Sequence, residues 1–363
     1  MTARKKIVLH IGHGKTGSSA IQAALARNQE LLRSAGILYP DHAAVEQARR
    51  GEVTSGNIDP ENWFEGQVIP IARAADPCDT IVFSNENLFH RFDEFLEKHA
   101  AYAAEFDFEI LLFVREPFEK LNSAYQQSVK RRGFAGDIRE FAEHDGDVGH
   151  AALILQALER QSVAFTVFNY SALRRSAIQA FFAHLGVWDL IEARGETEVG
   201  TVNRSLTAAE LDLLLHVNRV FGVEFGSVIA DALVHRLPDL SPAMAPIDAE
   251  TRRLVHDRNQ DAVEAINRFL PASDQLRLDA GVAAAEEQAA DRRLSDAQVE
   301  VIRSVFPSAL TYADGILLRD IAMKYESGEA LTREDAIQLM QYAQKARPHG
   351  RIIAGKLKEW RKP

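Results

Sequence analysis

Hydrophobic residues along this chain follow two spacings. Short unbroken runs at Ile7-Val8-Leu9 with Ile11, Ile81-Val82-Phe83, Ile110-Leu111-Leu112-Phe113-Val114 and Phe165-Thr166-Val167-Phe168 have the length and density of strands buried on both faces. They predict strands over 6–11, 80–84, 109–114 and 163–168. Between them, apolar residues such as Ile21, Ala24, Leu25, Leu31 and Leu32 recur at helical spacing. Helices are predicted over 18–34, 118–131, 149–160 and 174–185. Strands alternating with helices imply an α/β domain around a central parallel sheet. Residues 41–79 are polar, with Gly and Pro, and read as an insertion rather than a linker. From 200 to 280 the pattern is helical: Thr207 and Glu210 make a capping box before Leu211, Leu214 and Leu215, and Val255, Ala262, Val263 and Ile266 mark another helix. Residues 281–363 begin rich in Ala and Glu and carry two more capping patterns, Ser295 with Gln298 and Thr332 with Asp335. They read as a helical extension to a domain spanning 5–280.

The first strand runs into His10-Ile11-Gly12-His13-Gly14-Lys15-Thr16-Gly17-Ser18-Ser19, and a helix follows at once. Gly12, Gly14 and Gly17 are expected to allow positive φ and close backbone approach, and Lys15, Thr16, Ser18 and Ser19 are suitable donors to an anion. Unpaired N–H groups and the helix dipole favour negative charge at that point. This is a phosphate cradle. A nucleotide triphosphatase loop would need its first glycine where Leu9 stands, and no apolar strand ends in a magnesium-binding Asp. A second strand ends at Arg115-Glu116-Pro117, with Pro117 in the first turn of the next helix and Ser123 further along it. A guanidinium at the strand end and a hydroxyl on the helix suit a second phosphate. The plainer readings are an ion pair of Arg115 with Glu116 or Glu119, and a solvent-facing Ser123.

With these residues the chain resembles sulfotransferases that use 3′-phosphoadenosine 5′-phosphosulfate (PAPS), in their bacterial and carbohydrate-type branch. The resemblance lies in His10 to Ser19 with Ile21-Gln22, then Asn28, Leu31, Gly36 and Tyr39-Pro40. It continues in Phe113-Val114-Arg115-Glu116-Pro117 with Ser123-Ala124-Tyr125, in Phe165 to Tyr170, and in Val202-Asn203-Arg204-Ser205-Leu206. It implies a P-loop-type three-layer α/β/α fold. It also implies transfer of a sulfuryl group from PAPS to a hydroxyl or amine, in a carbohydrate or glycolipid acceptor, without a metal. Gly12 to Ser19 would hold the phosphosulfate, Arg115 and Ser123 the 3′-phosphate, and Asn203 would pack near the nucleotide. Lys15 would steady charge on the bridging oxygen. Glu86, at the end of the strand over 80–84, looks like the position where carbohydrate sulfotransferases keep a catalytic glutamate, although it is also placed to open the next helix. His13 and His90 compete for the role of base. The chain departs from better-known members in lacking a Lys-Gly-Arg-type loop to close over the nucleotide. A kinase using ATP and magnesium, and a non-catalytic nucleotide binder, stand as rival readings.

Composition narrows the class further. The chain has 363 residues, 46% hydrophobic and 26% charged, and is expected to be a globular enzyme. Its single Cys78 leaves no intramolecular disulfide, and Met1 to Lys6 lead straight into the first strand, so a cytoplasmic location is expected. A net charge of −10 argues against nucleic acid as a partner. Two basic stretches stand out: Lys130-Arg131-Arg132, either a shoulder for an anion or a solvated helix end, and the tail from Lys345 to Pro363, either a membrane- or acid-binding segment or a mobile terminus. The C-terminal helices are candidates for a homo-oligomer interface.

Overall fold

The apolar runs become β1 (Lys5–Gly12), β3 (Thr80–Ser84), β4 (Phe106–Val114) and β5 (Ala164–Asn169), joined by a two-residue edge strand, β2 (Ile37–Leu38). The computed structural model describes residues 4–51, 54–194, 204–278, 292–305, 312–327 and 332–361. All five strands are parallel, in the order β2-β3-β1-β4-β5. Successive side chains of a strand point to opposite faces, and both faces are covered. Ile7, Leu9 and Ile11 join Phe83, Ile110 and Leu112 in one core, whereas Val8, Val82, Leu111 and Phe113 belong to another. The second core is closed by α1 (Ser18–Arg27), through Ile21, Ala24 and Leu25, and by Phe181 and Phe182. The fold is therefore α/β with three layers.

Two predicted helices are broken. The segment over 18–34 divides at Asn28, which doubles up on one carbonyl: both its N–H and its Nδ2 donate to Ala24 O, the latter at 2.9 Å. Gln29–Ser34 then starts afresh, with Leu32 N–H donating to Asn28 O. Likewise 174–185 is preceded by a short turn of helix at Tyr170–Leu173, after which α-helix resumes at Ala177–His184. α2 (Pro117–Arg132) and α3 (Asp147–Arg160) match expectation closely.

The segment 41–79 corrects the sequence reading. Despite its polar composition it carries Ile58, Trp63, Phe64, Val68, Ile69 and Ala72 into the first core. Its Gly56 has φ +116°, and a Cβ there would lie 1.8 Å from Ser84 O. The approach is that close because the stretch around Asn57 pairs with the end of β3: Asn57 Oδ1 accepts from Ser84 N–H at 2.8 Å and Asn57 Nδ2 donates to Val82 O at 3.1 Å. Gly56→Ala is expected to cost about 2–3 kcal/mol, read as a lower urea midpoint at unchanged slope, because both φ and space oppose a side chain.

The chain forms two compact units, one of Met1–Tyr125, Asp137–Val202 and Ala245–Gln288, the other of Gln126–Gly136, Asn203–Met244 and Ala289–Pro363. The first holds the sheet. Within the second, Thr207 and Glu210 form the expected capping box, and Ser295 with Gln298 and Thr332 with Asp335 cap reciprocally as well. Arg204 is buried there and forks onto Glu210 at 2.7 and 2.8 Å, so it opens that helix. Lys130, far from being solvated, is buried with Nζ donating to Arg204 O, and Arg131 pairs with Asp231. The basic tail is an ordered helix, Arg351–Trp360, whose Ile353, Leu357 and Trp360 pack on Met340 and Ala343. No helix among the described residues is long and apolar enough to cross a membrane.

Candidate active site

Because every strand is parallel, the segments after β1, β3, β4 and β5 emerge at one edge of the sheet, where open α/β sheets bind ligands. The four turns are Gly12 to Gly17, Asn85-Glu86, Arg115-Glu116 and Tyr170-Ser171.

In the first turn only Gly17, at φ +81°, takes the expected left-handed conformation; the other left-handed residue is Lys15 itself, at φ +74°. Gly12 is needed for a different reason. It pairs with Phe113 on β4, and a Cβ would sit 2.6 Å from Phe113 O. A Cβ on Gly17 would meet the ring of Tyr170 at 2.5 Å, whereas Gly14 borders open space. A lysine held in the left-handed region is strained by roughly 1–2 kcal/mol, a cost that surrounding contacts must offset. Gly17 also begins α1 as an N-cap without a capping side chain, and the first turn of α1 contains no acid. The positive end of this ten-residue helix is thus not neutralised by its own side chains.

Two of the expected hydroxyl donors are committed elsewhere. Thr16 is buried and its Oγ1 donates to His13 O at 3.1 Å, tightening the loop. Ser18 Oγ donates to Glu86 Oε2 at 2.8 Å, which ties the turn after β3 to the start of α1. What Thr16 and Ser18 offer an anion is accordingly backbone N–H. Ser19 is half-buried on α1. Glu86 itself opens a 3-10 helix, Glu86–Arg91, which Asn85 caps through Asn87 N–H. Of the two readings of Glu86, the structure has the plainer one, that it opens the next helix.

Arg115 joins the second turn to the first. Its Nη1 donates to Lys15 O at 3.0 Å, its Nε to Glu119 Oε2 at 3.2 Å, and its backbone N–H to His13 Nε2 at 3.1 Å. The guanidinium carbon lies 5.5 Å from the centre of the Tyr170 ring. The pairing with Glu119 was among the plainer expectations, and the structure has it; it leaves Nη2 without a hydrogen bond among the described residues. Burial, above all, lowers the Arg115 pKa from its usual value, while a guanidinium stays charged throughout the working pH range. Ser123 is half-buried on α2, one turn beyond Glu119, and its hydroxyl has no side-chain partner among the described residues. Asn203 lies outside the described residues.

Histidine is less suited to be the base than the sequence allowed. His13 is fully buried and its Nε2 already accepts a proton donor; burial and the nearby Lys120 charge push its pKa down to about 3, so the ring is neutral and structural. His90 is exposed, with Nε2 3.9 Å from Asp147 Oδ1.

Sequence reasoning missed Lys120. It is buried on α2 and paired with both Asp145 and Asp147, the latter at 2.6 Å, behind the His13 turn. A lysine near Glu119 and Asn122 on a largely polar α2 gave no sign that it is buried. Lys120→Met would strand two partly buried carboxylates and is expected to cost about 3 kcal/mol of stability in urea unfolding. Ser171 and Arg174 were missed as well, and Tyr170 was given no role, since they meet Gly17, Arg115 and Glu119 only through the fold.

No family model matches the chain, and no curated protein does. Two solved structures of retinol dehydratase are similar to it. One is in complex with androsterone and inactive cofactor PAP, at 10% identity and TM-score 0.29, covering 73% of this chain and 82% of that one. The other is in a complex with retinol and PAP, at 11% identity and TM-score 0.27, covering 73% and 83%. Overlap this slight carries no function by itself, which rests on the residues above.

Proposed function

We propose that the chain is a PAPS-dependent sulfotransferase acting on a hydroxyl or amine acceptor, of carbohydrate or glycolipid type. The observation that carries this reading is the closure of Arg115 onto the carbonyl of Lys15. Two anion-binding turns from neighbouring strands are thereby joined, with Glu86 hydrogen-bonded to the same helix start. A donor with a 5′ phosphosulfate and a separate 3′ phosphate needs two such turns side by side. The residues suit it: Gly14 borders open space, the first turn of α1 carries no acid of its own, and Arg115 keeps donors to spare.

PAPS supplies an activated sulfuryl group on a good leaving phosphate. The chain's part is to position it and to balance charge, as in phosphoryl transfer. N–H groups of Gly14 to Ser19 and the α1 dipole would hold the 5′ end. Lys15 would place its ammonium where charge develops on the bridging oxygen. Arg115 and Ser123 would hold the 3′ phosphate, and Glu86, steadied by Ser18, would take the acceptor proton.

Calorimetry with the product nucleotide 3′-phosphoadenosine 5′-phosphate (PAP), run against ATP with chelator present, tests the donor. PAP is expected to bind and ATP to bind far more weakly; the reverse order would favour a kinase. Transfer of sulfur-35 from PAPS into glycan and lipid extracts tests the reaction, and binding without transfer would mark a non-catalytic protein.

A further inference from the structure

Glu119 lies between the two residues assigned to the 3′ phosphate, Arg115 and Ser123, where a carboxylate would be expected to repel that group. Its surroundings explain it. One oxygen, Oε2, accepts from Arg115 Nε at 3.2 Å, from Ser171 Oγ at 2.9 Å and from Arg174 Nη2 at 2.5 Å. Burial acts to raise the pKa of this carboxyl, but the two arginine charges outweigh it and hold it below the ordinary range. One negative charge thus orients two positive ones, leaving the cluster with a net positive charge. Each guanidinium has five N–H donors; Arg115 spends two on the protein and Arg174 one. The rest have no hydrogen-bond partner among the described residues, and Glu119 and Ser171 also line a cavity of about 390 Å³ with Glu116, Asn169 and Arg277 on its wall.

We propose that Arg174 is a second guanidinium of the 3′-phosphate site, held in place by Glu119, and that the Arg115–Arg174 pair sets the preference for a nucleotide bearing a 3′ phosphate. This rests on the donor reading above. A dianionic monoester is matched better by two forks than by one, because each fork presents parallel N–H groups to a pair of oxygens. Glu119 is here a positioning residue. It takes one N–H from each arginine, and the phosphate takes N–H groups that remain. Arg174 is half exposed, on a turn between helices, so its replacement leaves the core intact.

The test compares PAP with adenosine 5′-phosphate, which lacks only the 3′ group, by calorimetry on the full chain. Wild type is expected to prefer PAP. Arg174→Gln should weaken PAP binding by about tenfold or more, as expected for a lost charge-assisted hydrogen bond, while leaving adenosine 5′-phosphate unchanged. Arg174→Lys should fall between, keeping charge without the fork. Equal wild-type affinity for the two nucleotides overturns the donor reading and this inference with it. A wild-type preference for PAP that survives intact in Arg174→Gln overturns the role of Arg174 alone and leaves it a surface partner of Glu119. Equal weakening of both nucleotides also overturns it.

Discussion

Lys15→Met is expected to lower the turnover of sulfuryl transfer by about 10²–10³-fold, the loss typical of removing one preorganised donor from a site of developing charge. Methionine keeps the length of the stem and loses only the ammonium. Lysine is held here in a left-handed conformation despite its cost, and the bond from Arg115 to the Lys15 carbonyl helps to offset it. Single-turnover sulfur-35 transfer should show the full loss, while PAP affinity, which the proposed site assigns to backbone N–H groups and Arg115, should fall much less. If turnover drops less than tenfold, Lys15 is not the group that balances the leaving oxygen.

Glu86→Gln should be as damaging, lowering turnover by about 10²–10⁴-fold, the usual contribution of a general base. The substitution is gentle on structure. Glutamine can still accept from Ser18 Oγ, so the link between the turn after β3 and the start of α1 persists, and PAP affinity should stay within about threefold of wild type. Full activity in Glu86→Gln would remove it as base and point to the exposed His90, which His90→Asn would then check by the same assay. His13 is the poorer candidate, because burial lowers its basicity and its Nε2 already accepts from Arg115 N–H.

The strands were legible because a strand covered on both faces must be apolar at every position, and such runs are short and dense. β2 was not legible: two residues on the rim, paired only with Thr80 and Ile81, make no run. Helix existence was also readable, but not continuity. The break at Asn28 comes from a side chain competing for Ala24 O, which propensity alone does not reveal. The segment 41–79 misled through composition, since its polar residues are many while a few large side chains, Trp63 and Phe64 above all, do the packing.

By itself, the sequence determined the local chemistry of this protein: a glycine-rich turn opening a helix after one buried strand, an arginine at the end of another, and a glutamate at the end of a third. These are set by neighbours in the chain, so short-range pattern exposes them. Only the tertiary structure decided how they are shared out. It committed Ser18 to Glu86, put Lys15 in a left-handed conformation, and brought Tyr170, Ser171 and Arg174 to Arg115 and Glu119. Those partners stand tens of residues apart, and what aligns them is strand register within a parallel sheet, a property that no local spacing encodes.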